Sequence, residues 1–216
     1  MQTNKGVYYI KSLEEDFCTK TLRGAEKINY QSIFDIVKRK IIKPNTKSFG
    51  RSRRLSCTIL SENYLKTYRP QGIIFQTEDE PEYIFPFDLV LLSATEKIVV
   101  HYYRIKNNLH VYYNHTLIPG FESFMFKDFI SMAIKYPSPE KAWGAVNKFR
   151  IKNGFNKLPR QKYRLVEYNE AVYHKPVKIK PIAIFGYRKE TSKIAEKLNL
   201  PHYVSAKHFY KHLKNK

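Results

Sequence analysis

Apolar positions in this chain follow two rhythms, one of about 3.6 residues and one of two, and the rhythm changes several times between the ends. Val7 to Lys11 alternates as a short strand. Ser32-Ile-Phe-Asp35 then opens a helix through about Ile42. Ser32 is the cap, Asp35 stands in the first turn, and Ile33, Phe34, Ile36, Val37 and Ile41 carry the helical spacing. From Leu55 to about Ile118 the pattern is that of strands: Leu55 to Leu60, Gly72 to Thr77, Tyr83 to Ala94, Ile98 to Lys106 and Leu109 to Ile118. Asn107-Asn108 between the last two suits a tight hairpin turn. Helices are predicted over Glu122 to Tyr136 and from the cap Ser138-Pro139-Glu140 towards Asn153-Gly154. Strands return over Lys162 to Tyr168 and Ala171 to Tyr187, the second interrupted by Pro176 and Pro181, which favour an edge or a bend. Two capped helices, Thr191 to Leu200 and Ser205 to Lys214, close the chain. The expected class is α+β: a long antiparallel sheet with helices on one side, within a single domain over residues 1–216.

Charge narrows the function. Thirty-nine Lys and Arg against nineteen Asp and Glu leave a formal +20, spread from end to end, which points to an anionic polymer as partner. Nucleic acid is favoured over membrane, because no apolar run approaches the 18 residues of a spanning helix and the start lacks a signal-peptide core. A cytoplasmic location is expected. The two cysteines, Cys18 and Cys57, are too few and too far apart for a zinc ribbon or a disulfide scaffold. Seventeen tyrosines and fourteen phenylalanines suit strands and core, and tyrosines beside Lys or Arg also suit stacking on exposed bases.

A basic protein of this size invites comparison with metal-dependent nucleases, which use an acidic pair and a lysine arranged Asp/Glu-x-Lys. That triplet is absent from the chain; Asp88 with Glu96 would have to form an irregular version. Gly6-Val7-Tyr8-Tyr9-Ile10 matches only the first half of a GIY-YIG motif. His208 and His212 share a helix face with no third ligand nearby, and Asp79, Glu80 and Glu82 read as a polar turn beside Pro81, so no metal is assigned. Arg51, Arg53 and Arg54 form the densest arginine cluster, suited to phosphate contact or guanine readout. Lys66-Thr67-Tyr68-Arg69-Pro70 precedes a strand, and its proline stiffens the mount of a phenol and a guanidinium.

The block TYRPQGIIFQT to YIFPFDLVLL, the hairpin HYYRIKNNLHVYY and the histidine-containing NLPHYVSAKHFYKH, together with size and basicity, resemble the half-pipe (PabI-like) restriction enzymes. The resemblance implies a strongly curved antiparallel half-pipe sheet. It also implies a homodimer on a short palindromic duplex, GTAC in the known type, and a cognate DNA methyltransferase as functional partner. The implied activity is that of a restriction DNA glycosylase: adenine is flipped out and excised without metal or cofactor, and the abasic site is opened by lysine-assisted β-elimination. By that resemblance Tyr68 is the base-handling tyrosine and His202 the late histidine, with His208 in reserve. Lys66, Arg69, His208 and the Arg51, Arg53, Arg54 cluster are candidate DNA contacts. Lys152, or Lys148, is a positional choice for the lyase amine. The family pattern also expects an aspartate three residues after the histidine; Ser205 stands there, and Asp88 and Glu62 are the substitutes within reach. The alternatives are a Mg²⁺-dependent type II endonuclease and a non-catalytic DNA-binding protein.

Overall fold

The apolar run Gly72–Gln76 forms strand β4 inside a seven-stranded sheet, where both of its faces are covered. This computed structural model describes residues 7–12, 32–44, 55–67, 69–88, 91, 100–105, 108–113, 116–117 and 121–215. The sheet comprises β1 (Tyr9–Ser12), β3 (Leu55–Ile59), β4, β5 (Tyr83–Phe85), β9 (Glu170–Tyr173), β11 (Lys180–Phe185) and β12 (His202–Tyr203), in the order β12-β11-β4-β1-β3-β9-β5. Strand β2 (Ile41–Ile42) pairs separately with β10 (Val177–Lys178). Strands β6 (Val100–Ile105), β7 (Asn108–Tyr113) and β8 (Thr116–Leu117) form a third, antiparallel sheet.

Alternation along the central strands sends neighbours to opposite sides. Ile73, Phe75, Tyr9 and Ile184 pack in one cluster with Ile33 and Ile36 of helix α1 (Ile33–Arg39) and Ile194 of helix α4 (Lys189–Lys197). Ile74, Ile10 and Phe185 pack on the other side with Ala206 and Phe209 of helix α5 (Ala206–Lys214). Burial on both faces is why GIIFQ reads as a continuous apolar run. A third, largely aromatic cluster joins Phe85, Phe87, Phe124 and Leu165 to Val146 and Phe149 of helix α3 (Pro139–Lys152).

The molecule is α+β, but the antiparallel expectation needs correcting. β11 and β12 run parallel, Ile184 opposite His202, because α4 carries the chain between them as a βαβ crossover. Helices also cover both faces of the central strands rather than one, and the sheet is neither closed nor strongly curled.

Serine caps are the most faithful sequence signals. Ser32 accepts from Asp35 N–H at 3.0 Å, Ser138 from Lys141 N–H at 3.4 Å and Ser205 from His208 N–H at 3.2 Å. Element ends depart from the spacing. The helix at Ser32 stops at Arg39, where Lys40 turns left-handed (φ 54°), and Ile41 enters a strand. The expected helix over Glu122 to Tyr136 divides into a 3₁₀ turn, Phe121–Phe124, and helix α2 (Phe129–Lys135). Phe126 between them bridges Ile84, and Asp128 caps the new helix through Ser131 N–H at 2.7 Å. The strand expected from Tyr83 ends at Phe85. Lys162 to Tyr168 is mostly 3₁₀ helix, Arg160–Val166, and α4 starts at Lys189, two residues early. The hairpin is present, with Asn108 in the strand opposite Ile105 rather than in the turn. Pro181 sits in an interior strand, where the register shifts between it and Ala183.

Cys57 is fully buried between these layers, and loss of water around the thiol pushes its pKa up to about 12. In a Cys18→Ser background, iodoacetamide at pH 8.5 is therefore expected to leave native Cys57 unmodified over hours and to label it fully in urea. Rapid labelling of the native protein would show that the strand pair around Cys57 opens without global unfolding.

Candidate cleft at the ends of the parallel strands

Because β11 and β12 are parallel, both deliver the chain to the same edge of the sheet, the usual place for ligands in such units. Gly186 makes the joint tight. Its N–H donates to Tyr203 C=O at 2.9 Å, and a side chain there would press on Thr191 at 2.8 Å, so α4 packs directly on the strand end. Beyond it Tyr187 is 64% exposed, with the Arg188 guanidinium 5.9 Å from its ring centre. Beyond β12, Ser205 starts α5.

At this edge lies a cleft of about 570 Å³. Its walls come from five segments distant in sequence: Glu62 to Thr67 with Pro70, the first turn of α3 at Pro139 and Glu140, Tyr163 with Glu167, Phe185 with Tyr187, and Val204 to Lys207. The volume is in the range of small-molecule sites.

Three carboxylates line the cleft, each with a partner. Lys66 Nζ lies 2.5 Å from Glu167 Oε1, whose side chain is only 20% exposed. Glu62, at the open rim, is held by Lys214 at 2.6 Å. Glu140 accepts from the Tyr163 hydroxyl, which, with the backbone bonds of a helix start, holds its carboxyl below the ordinary range. Burial of the phenol, and then the same carboxylate, push Tyr163 up to about 12, so it stays a proton donor at neutral pH. Arg160 lies 4.0 Å over the Tyr163 ring and Trp143 meets it edge-on at 5.4 Å, fixing the ring from two sides. The cleft thus combines aromatic surfaces, the half-buried Glu167 side chain paired with Lys66, and the amines of Lys66 and Lys207.

The structure gathers some of the residues singled out from sequence and separates others. Lys66 lines the cleft, with Thr67 and Pro70. Arg69 is half-buried beside it, its carbonyl accepting from the Thr67 hydroxyl at 2.6 Å. Tyr68, Arg51, Arg53, Arg54 and Glu96 lie outside the described residues. His202 is half-buried, one ring nitrogen 2.9 Å from Gly186 C=O, and does not line the cleft. His208 is exposed on α5, its ring edge-on to Tyr203 at 5.8 Å. Lys152 ends α3, whose first turn is at the cleft; thirteen residues at 1.5 Å put it about 20 Å further along the axis. Of the acids named for the missing aspartate, Asp88 is buried in the aromatic core and accepts from Tyr168 at 2.5 Å. Among the described residues no three His, Cys, Asp or Glu side chains group as metal ligands do, and no helix is long and apolar enough to cross a membrane.

Glu167, Tyr163, Tyr187 and Lys207 carry no signal in the sequence that points to a site, and Glu140 stands there only as part of a helix start. No motif marks them; they meet only because the fold brings segments as far apart as Glu140 and Lys207, 67 residues in sequence, to one edge of the sheet. Comparison of the chain with protein-family models, curated proteins and solved structures finds no match to any of them.

Proposed function

We propose that this chain is a DNA-binding base-excision enzyme, a restriction glycosylase that removes adenine without a metal and works as a homodimer beside a cognate methyltransferase. The observation that carries the reading is the content of the cleft in a +20 protein: aromatic walls, the Glu167–Lys66 pair, and free volume for a flipped nucleoside. Expelling adenine from deoxyribose develops positive charge on the sugar. A carboxylate at the level of the sugar stabilises that charge or orients water, while aromatic rings hold the base. In this reading Glu167 is the carboxylate, Tyr187 and Tyr163 supply flat surfaces, and Lys66 or Lys207, rather than the remote Lys152, is the amine for β-elimination. Tyr68 keeps the base-handling role that the resemblance implies, and Arg51, Arg53, Arg54, Arg69 and His208 remain DNA contacts. The half-pipe form that the resemblance implies belongs to this proposal and would require more curvature than the described sheet shows; the α+β class does not depend on it.

The test is incubation of the full chain with a GTAC-containing duplex in EDTA, followed by chromatography of free bases and strand analysis after mild alkali. Adenine release is expected, and Tyr68→Phe is expected to slow release more than it weakens binding. Specific binding with no released base would leave a non-catalytic DNA-binding protein. Scission only with Mg²⁺, giving 5′-phosphate ends, would replace the reading with a type II endonuclease.

A further inference from the structure

The sequence of α3, PEKAWGAVNKFRIK, divides into two unlike sides. Ala142, Val146, Asn147, Phe149 and Arg150 are buried. At 100° per residue the opposite arc carries Lys141, Lys148 and Lys152 within about 40° of one another, with Gly144 and Ile151 beside them. All five are exposed, and no acid falls on that arc: Glu140 is at its border and is engaged by Tyr163. The other lysine-rich helix faces differ. On α4, Lys189, Lys193 and Lys197 are interleaved with Glu190 and Glu196; α5 carries no acid of its own, but of its three lysines Lys214 is paired with Glu62 and Lys207 lines the cleft.

Gly144 is the second observation. A glycine inside a helix costs stability relative to alanine. Among the described residues nothing explains its presence, because no heavy atom of a neighbouring element lies within 4 Å of where its Cβ would stand. The missing side chain leaves bare helix backbone about one turn into a row of lysines spanning about 16 Å, between Lys141 and Lys148 and to one side of the row. That is the shape and charge for a polyanion lying against the helix. The row begins within the first turn of the helix, whose Pro139 and Glu140 line the cleft.

We propose that this face of α3 is a docking stripe for the phosphate backbone of duplex DNA, with Gly144 at the closest approach, leading the strand to the cleft. The proposal rests on the nucleic-acid reading above and deepens it. Lys148 and Lys152 act here as phosphate contacts, not in chemistry, so binding rather than base release is the readout.

Anisotropy of a labelled duplex across 50–300 mM KCl compares the wild type with K141A/K148A/K152A, and with K189A/K193A/K197A as a control of equal charge. Three lost phosphate contacts should lower the slope of log affinity against log salt by about 2–3 and affinity at 150 mM by tenfold or more, with the control much less affected. G144A should raise the melting temperature by about 2–4 °C, and G144L should weaken binding in a folded protein. Equal losses from both lysine triples would overturn the stripe while leaving DNA binding intact. A wild type that shows no salt-dependent duplex binding would overturn the nucleic-acid reading as well. Loss of binding to phosphatidylserine vesicles, but not to duplex, would reassign the stripe to a membrane surface.

Discussion

Glu167→Gln should slow adenine release by about 10²–10⁴-fold while leaving duplex affinity within about twofold. Glutamine keeps the shape of the side chain and can still accept from Lys66, now at 2.5 Å, so the cleft wall is preserved. On the proposed base-excision reading, what is lost is a carboxylate that would stabilise a sugar turning cationic as the base departs. Glu167 is the best placed of the cleft acids for that role: its side chain is 20% exposed against 71% for Glu62, and Glu140 is committed to Tyr163. A charge in a partly desolvated wall acts more strongly than one in water. Lys66→Met tests the same pair from the other side, and should reduce release by letting the carboxylate swing. Single-turnover rates at saturating enzyme separate chemistry from binding. Parallel loss of affinity and rate in Glu167→Gln would make the residue a structural part of the wall. An unchanged rate would remove the cleft as the seat of the reaction.

Local chemistry made much of the fold legible. Ser32, Ser138 and Ser205 announce their helices because a serine oxygen satisfying an N–H three residues on is a local event. The apolar runs of β4 and β11 announce strands, but not the helices that cover their second face or the direction of their neighbours. Whether β12 lies parallel to β11 is decided by where α4 packs, through Ile194 and Ala195, and by the room that Gly186 leaves for Thr191. Lys162 to Tyr168 carries a spacing compatible with a strand, yet it winds as 3₁₀ helix, burying the adjacent Leu165 and Val166 and turning Tyr163 and Glu167 to the cleft. The site was hidden for this reason. Its carboxylate stands just after a segment whose conformation is set by aromatic packing against Phe85 and Phe149, and not by its own propensities.

Asn169→Ala should lower the unfolding free energy by about 2–5 kcal/mol, among the largest losses available to a single substitution here. Strand β3 pairs with β9 as Leu55 with Tyr173, Ser56 with Val172 and Cys57 with Ala171. Continuing that register would set Ile59 opposite Asn169, where backbone pairing gives way to the side chain. Asn169 Oδ1 accepts from Ile59 N–H at 2.8 Å, and Nδ2 donates to Ile59 C=O at 2.9 Å. The amide therefore stands in for a peptide group and satisfies a donor and an acceptor in a setting where Asn169 itself is 0% exposed. Alanine abandons both, at about 1–3 kcal/mol each. Aspartate keeps the acceptor but loses the donor and brings a charge into the core, so Asn169→Asp should be at least as damaging. Urea unfolding followed by circular dichroism measures both. The effect should reach the cleft, because consecutive residues have separate anchors: Glu167 to Lys66, Tyr168 to Asp88, Asn169 to Ile59. At a temperature where Asn169→Ala remains folded, its base release should still fall, since the segment that aims Glu167 has lost one of those ties. Wild-type stability in this variant would mean that water replaces both bonds, and that the amide is not what joins β3 to the cleft wall.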